Sequence, residues 1–221
     1  MSQQIEASRV SCVEAVILDY GEVVSLPPDP DRLTELACCV GISPHKFRTL
    51  YPIDRLPYDA GLVEGNQYWL KFAAKAGVRL APKKLPEIRR LDVAMWSPVN
   101  PIMLDWIASL RAAGFKTALL SNMISDMALH ARQHFAWLNQ LTCQVLSCEM
   151  GLTKPDRAIF EHCLKQLGTK PNETLFVDDV ERNVEAARML GLRAIRFQSV
   201  DQLREELIVG GLALPLPKSK S

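Results

Sequence analysis

Four short apolar runs, each ending on or leading into residues able to do chemistry, constrain this chain more than any other feature. "AVILDY" ends at Asp19-Tyr20, "TALLSN" at Ser121 and Asn122, "QVLSCE" leads into a loop carrying Lys154, and "TLFVDD" ends on Asp178 and Asp179. Continuous apolar runs of this length are the pattern of strands buried on both faces of a parallel sheet. A fifth run, "RAIRF", is less apolar and is expected towards an edge. Between the runs, "PIMLDWIASLRAAGF", "DRAIFEHCLKQLG" and "NVEAARMLG" carry apolar residues at helical spacing, with Gly114, Gly168 and Gly191 where a helix stop belongs. Strands alternating with helices predict an α/β fold, a doubly wound Rossmann-like parallel sheet. Ligands of such sheets bind beyond the carboxyl ends of the strands, where the polar residues gather.

About a hundred residues separate Asp19 from Ser121, far more than one crossover helix needs. The excess is bounded by two proline-bearing stretches, "SLPPDPD" and "WSPVNP", and contains the helix-like "RLTELACCVG" and "GNQYWLKFAAKAGV". The predicted organisation is a core of residues 1–26 and 99–221 with an α-helical cap inserted over 27–98.

A net charge of +1 over 221 residues offers no electrostatic basis for nucleic-acid or anionic membrane partners. No apolar run approaches the ~20 residues of a membrane span. "MSQQIEASRV" lacks the apolar centre of a secretory signal, so a soluble cytoplasmic protein is expected. "PKSKS" reads as a frayed tail. Cys12, Cys38, Cys39, Cys143, Cys148 and Cys163 form no C-x-x-C pair, and reduced thiols are expected.

An aspartate at a strand end can act as a nucleophile and split one hard step into two easier ones. Phosphoryl transfer then needs cations and hydrogen-bond donors around the transferring group. Ser121 and Asn122 can donate, Lys154 supplies a cation, and Asp19, Asp178 and Asp179 form an oxygen set suited to Mg²⁺. Gly21 leaves room for the backbone to approach a ligand. Each piece alone has a structural alternative, since Asp-Asp and Ser-Asn also serve as helix caps and turns. Four such pieces at successive strand ends favour a site.

In these residues the chain resembles the haloacid dehalogenase-like hydrolase superfamily, in its helical-cap subgroup. "VILDYGEVV", "LLSN", "GLTKPDRAIF" and "LFVDDVERNVEAARMLG" are similar to the four motifs of that family, and "YDAGLVEGNQYW" more loosely to its caps. The resemblance runs from about Glu14 to Leu207. It implies Asp19 as nucleophile and the Gly21 carbonyl as a Mg²⁺ ligand. It implies Ser121, Asn122, Lys154 and the Tyr20-Gly21 turn around the phosphate. Asp179 is implied as the main further metal ligand, Asp178 as a direct or water-mediated one, and Asn183 as a supporting residue. The implied reaction is Mg²⁺-dependent hydrolysis of a small phosphorylated metabolite through an aspartyl-phosphate.

One position departs from the family. Its phosphatases usually carry a second aspartate two residues after the nucleophile, as general acid and base, and here that position is Gly21. Losing such a group typically costs ~10²–10⁴-fold in rate. A subgroup of sugar-phosphate phosphatases has similar D-x-G-x-V first motifs, which favours retained activity, best on a leaving group needing little protonation. Glu22 is an alternative acid–base group only if the loop twists, because strand alternation turns it away. A non-catalytic phosphate-binding or regulatory protein is a further alternative. So is a 2-haloacid dehalogenase, whose first motif resembles D-x-Y-G-T and which does without Mg²⁺.

His130 and His134 share i, i+4 spacing without the H-E-x-x-H glutamate and read as a surface or partly buried pair. Trp96, at the cap connection, is a candidate to line the cleft. Arg55, Tyr58 and Asp59 are candidates for substrate specificity.

Overall fold

The structure, a computed structural model, describes residues 13–219, so Cys12, the polar first ten residues and the last two of the tail lie outside it. Five strands form one parallel sheet: β1 (Ala15–Leu18), β2 (Lys116–Ser121), β3 (Cys143–Leu146), β4 (Thr174–Asp178) and β5 (Arg193–Arg196), in the order β3-β2-β1-β4-β5. The less apolar β5 is an edge, as its composition predicts.

The continuous apolar runs have a simple cause. Successive strand residues point to opposite faces, so Val16, Leu18, Leu119, Leu175 and Val177 enter one core while Ala15, Ile17, Ala118, Leu120 and Phe176 enter another. The first core is covered by α6 (Pro101–Ala112) and α11 (Val200–Val209), through Met103, Trp106, Leu203 and Leu207. The second is covered by α9 (Arg157–Leu167) and α10 (Glu181–Met189), through Ile159, Phe160, Leu164 and Ala187. Fully burying a side chain of this size stabilises by roughly 1.5–3 kcal/mol.

The inserted cap comprises α1 (Pro30–Val40), α2 (Pro44–Leu50), α3 (Leu56–Asp59), α4 (Gly65–Lys75) and α5 (Leu85–Trp96). Its centre is aromatic: Phe47 lies 6.3 Å from Trp69 and 5.5 Å from Phe72, ring centre to ring centre. The proline-bearing connections start helices rather than only ending the core. Pro30 and Pro101 occupy the first turns of α1 and α6, where a missing N–H costs nothing, and Asp29 and Asn100 cap those turns. The two connections also pair with each other, through an antiparallel bridge between Ser25 and Val99 and bonds from Leu26 N to Pro98 O and Asn100 N to Val24 O. The remaining core helices are α7 (Ser125–His134) and α8 (Ser147–Met150). No helix of the described residues is long and apolar enough to cross a membrane.

Candidate active site

Sheet order brings the sequence-distant polar residues together. β1 lies between β2 and β4, so Asp19, Ser121 and Asp178 emerge side by side at the carboxyl edge. Asp19 N donates to Val177 O at 2.9 Å, which holds the residue against β4 one step beyond the end of its own strand.

Lys154 is the hub. Its Nζ lies 2.7 Å from Asp19 Oδ1 and 2.6 Å from Asp178 Oδ2, with the lysine only 1% exposed. Asn122 positions it from behind: its Oδ1 accepts from Lys154 N at 2.7 Å and its Nδ2 donates to Lys154 O at 3.0 Å. Asp178 is saturated. Oδ1 accepts from Val180 N and Asn183 Nδ2, and Oδ2 accepts from Lys154 and Asn183. Asp178 is therefore a clamp for the lysine, while Asp179, which lines the cleft, is the more open of the two carboxylates.

The electrostatics follow from burial and crowding. Desolvation pushes the Asp19 carboxyl up to about 6, opposed by Lys154 and assisted by Asp178. Desolvation, then repulsion from Asp19, Asp178 and Glu22, pushes Asp179 up to about 7. Burial lowers the Lys154 ammonium, but Asp178 and Asp19 outweigh it and the net shift is upward. Asp19, Asp178 and Asp179 each bring an oxygen within 4.8 Å of the others. Three carboxylates against one lysine leave excess negative charge, and the donor set is all oxygen, so these residues fit a hard divalent cation such as Mg²⁺.

The centre opens into a cleft of about 830 Å³ whose walls come from both core and cap. Three contacts seat the cap. Tyr20 Oη donates to Trp96 O at 2.6 Å. Ser147 Oγ donates to Asp59 O at 2.5 Å and accepts from Met123 N at 2.8 Å. Arg89 on α5 grips Asp126 on α7 with Nε and Nη2. Trp96 lines the cleft, as do Arg55 and Asp59, while Tyr58 lies 5.1 Å from the Arg55 guanidinium, ring centre to carbon, and lines a separate cavity.

Several expected roles change in the folded chain. Tyr20 lines the cleft but is largely buried, with its hydroxyl committed to Trp96 O, which makes its side chain a contact between core and cap. The Asn122 amide is used at both ends by the Lys154 main chain, which leaves its side chain a positioning role. Gly21 has φ −60° and ψ 126°, open to any residue, and an added Cβ would meet only Asp19 Oδ2 and a Trp96 ring atom, both at 3.8 Å. No close approach of neighbouring protein atoms demands the glycine. Glu22, expected to face away by strand alternation, lines the cleft instead. Regular alternation ends at Leu18: residues 20–24 form one wide turn closed by Ser25 N to Tyr20 O, and Glu22 sits at φ 53° within it.

Sequence reasoning did not single out Ser147, Tyr51 or Asp92. Asp92 had a signal, because it falls four residues after Ile88 and next to Leu91 on the buried face of α5. A carboxylate at such a position is rare without a buried partner.

A lysine-and-carboxylate centre at the carboxyl edge of a doubly wound sheet, roofed by a helical insert, is the layout of a capped Rossmann-like enzyme. The haloacid dehalogenase-like hydrolase family model matches residues 18–191, and the chain belongs to that family. Among curated proteins it is similar to mouse acyl-CoA dehydrogenase family member 10, 35% identical over 109 residues covering 48% of this chain and 10% of the relative. It is also similar to rat bifunctional epoxide hydrolase 2, at 31% over 53% of this chain and 22% of the relative. The chain thus spans a quarter or less of the first curated relatives it matches. Phosphatase MT3486 of Mycobacterium tuberculosis is 29% identical over 59% of this chain and 61% of its own length. In structure the chain resembles a HAD family enzyme from Bacteroides thetaiotaomicron in complex with magnesium and inorganic phosphate. The TM-score is 0.68 at 22% identity, covering 86% of this chain and 98% of that one. L-2-haloacid dehalogenase from Xanthobacter autotrophicus has a TM-score of 0.66 at 18% identity, over 92% and 85% of the two chains. Both likenesses concern the fold.

Proposed function

We propose that this hydrolase is a Mg²⁺-dependent phosphomonoesterase acting on a small phosphorylated metabolite, of the sugar-phosphate kind, with Asp19 as nucleophile. The observation that carries the reading is the pairing of Lys154 with Asp19 beside the open Asp179 carboxylate. Lys154 holds Oδ1 of Asp19, which leaves Oδ2 to attack phosphorus in line. The phosphorus–leaving-oxygen bond breaks, the departing alkoxide takes a proton from water, and an aspartyl-phosphate remains until a second water cleaves it. Lys154, the Ser121 hydroxyl and main-chain N–H groups of the turn after β2 would hold the equatorial oxygens, in a cleft from which the cap excludes bulk water. Asp19, Asp179 and the Gly21 carbonyl would hold Mg²⁺, with Asp178 behind them; when bound, it supplies charge to offset that of the phosphoryl group. The similarity to Phosphatase MT3486 and to a D-ribitol-5-phosphate phosphatase of Bacteroides thetaiotaomicron, 26% identical over 66% of this chain, supports the same chemistry.

The test is phosphate release from p-nitrophenyl phosphate and a sugar-phosphate panel, with Mg²⁺ or EDTA, for wild type and Asp19→Asn. Turnover that needs Mg²⁺ and is lost in Asp19→Asn is the expected result. A folded wild type that releases no phosphate but dehalogenates a 2-haloacid would replace this reading with the dehalogenase one. Inertness towards both would favour a phosphate-binding role.

A further inference from the structure

Most arginines of the described residues are engaged. Arg89 and Arg132 hold carboxylates, and Arg188 and Arg204 reach main-chain oxygens. Among these residues the side chains of Arg48, Arg79 and Arg182 have neither an ion pair nor a hydrogen bond, and Arg48 and Arg182 line the cleft. One comes from each wall: Arg48 from α2 of the cap, Arg182 from α10 of the core. Both residues are exposed, so their guanidinium groups are open to a ligand entering from solvent.

Arg182 also stands where local structure disfavours it. It is the second residue of α10, and a cation in a helix's first turn opposes the partial positive charge at that end. Glu181, its neighbour in sequence, turns to Arg188 and Arg196 at 3.3 and 3.7 Å and offers no relief. The other charges of the outer cleft are matched. Arg55 pairs with Asp59 at 3.0 Å, and Asp54 with Lys75 at 2.6 Å. Glu22 has no cationic partner among the described residues, but it lies towards the metal end, where its charge repels that of Asp179. Two unpaired cations against one unpaired carboxylate leave the cleft wall with surplus positive charge.

Depth separates this charge from the reaction centre. Lys154 and Asp19, 1% and 7% exposed, mark the floor on which a transferred phosphate rests, whereas the two arginines are exposed. The cleft of about 830 Å³ has room for a whole small molecule between them. A guanidinium presents paired N–H donors that match two oxygens of a carboxylate or a phosphate. Hydroxyls could accept those bonds but would leave the charge unmatched. Resting on the phosphatase reading, we propose that Arg48 and Arg182 determine specificity by binding a second anionic group, at the end of the substrate away from the transferred phosphate. The preferred substrates are then phosphorylated sugar acids or sugar bisphosphates, and not neutral sugar monophosphates.

The experiment uses substrates matched in skeleton. 6-Phosphogluconate is set against glucose 6-phosphate for the carboxylate, and fructose 1,6-bisphosphate against fructose 6-phosphate for the second phosphate, with p-nitrophenyl phosphate as reference. Wild type, Arg48→Gln, Arg182→Gln and the double variant are compared with Mg²⁺ present. Wild type should favour at least one doubly anionic substrate over its matched partner by about fivefold or more in kcat/KM, and the pair that shows it identifies the anion. The double variant should lose that preference through KM, not kcat, because the contact is made alike before and during the reaction. Raising NaCl from about 20 to about 300 mM should shrink the preference in wild type and leave the ratio in the double variant unchanged. Both side chains are exposed, so thermal melting should show the variants folded. A wild type with no preference for either doubly anionic substrate overturns the proposal, as does a preference that survives in the folded double variant. So does an equal loss on p-nitrophenyl phosphate, which would put the arginines on the transferred phosphate itself. If wild type releases phosphate from nothing, the phosphatase reading falls by itself. Calorimetry with 6-phosphogluconate and fructose 1,6-bisphosphate then decides on the arginines: weaker binding by the double variant sustains their role, while equal binding, or none by wild type, removes it.

Discussion

Lys154 Nζ lies 2.7 Å from Asp19 Oδ1, and the same nitrogen lies 2.6 Å from Asp178 Oδ2. One buried cation thus organises two carboxylates from neighbouring strands. Removing it leaves both without their counter-charge, and breaking a buried ion pair typically costs ~3–5 kcal/mol. Lys154→Met is expected to lose stability of that order in urea unfolding. Its kcat/KM for phosphate release should fall ~10²–10³-fold, as when a single stabilising donor is removed from a reaction centre. Retained activity in a folded variant would show that the lysine's work is structural.

Gly21→Asp should be accepted by the fold, because the backbone there has ordinary angles and an added Cβ finds only contacts of 3.8 Å. If the new carboxyl acts as the missing general acid and base, kcat for alkyl phosphates should rise ~10²-fold or more. The gain on p-nitrophenyl phosphate should be smaller, since its leaving group needs little protonation. A well-folded variant with no gain on alkyl phosphates would show that the cleft already supplies the proton by another route.

The raised carboxyls of Asp19, at about 6, and Asp179, at about 7, give metal-free protein a definite pH dependence. The unfolded chain ionises these groups near pH 4 while the folded chain still holds their protons. Their contribution to stability is therefore greatest at or below pH 4 and declines as pH rises towards 7. Mg²⁺ competes with the same protons, so it should raise Tm more at pH 7.5 than at pH 5.5. At a concentration a hundredfold above Kd the gain is worth ~2.7 kcal/mol. Thermal melts with Mg²⁺ and with EDTA at the two pH values check this, and Asp179→Asn should remove most of the pH 7.5 increment.

Ser147→Ala tests how the cap is seated. The hydroxyl serves both Met123 N and Asp59 O in a fully buried position, so its removal strands a donor and an acceptor. A loss of ~1–3 kcal/mol in chemical denaturation is expected. KM should rise as well, because Asp59 lies in the cleft wall. A loss of stability with no change in KM would confine the contact to holding the fold.

Much of this arrangement is legible in the sequence because it is local. "AVILDY" and "TLFVDD" announce buried strands with carboxylates just beyond or at their ends, and Gly114, Gly168 and Gly191 lie just past helices, each in the left-handed region. The Asp92 carboxylate was readable in principle, as a charge on an apolar helix face, but its partner Arg55 lies on another helix connection of the cap. The position of Glu22 was not legible, because the condition set for it, a twist of the chain after the strand, is met only in the wide turn that begins beyond Leu18.

The sequence by itself determined the class of fold, the insertion of a helical cap, and which strand ends carry Asp19, Ser121, Asp178 and Asp179. Periodicity, chain stops and strand length act over a few residues, so they can be read from the residues concerned. Only the tertiary structure decided which of those polar groups are already engaged. Asp178 is consumed by Lys154 and Asn183, Asn122 by the Lys154 main chain, and Tyr20 by Trp96, whereas Asp179 stays open to the cleft. Hydrogen bonds are short and directional, and their partners here lie from 5 to 76 positions apart. Sequence position alone cannot register a match that exists only once sheet order and cap packing have brought the partners within about 3 Å.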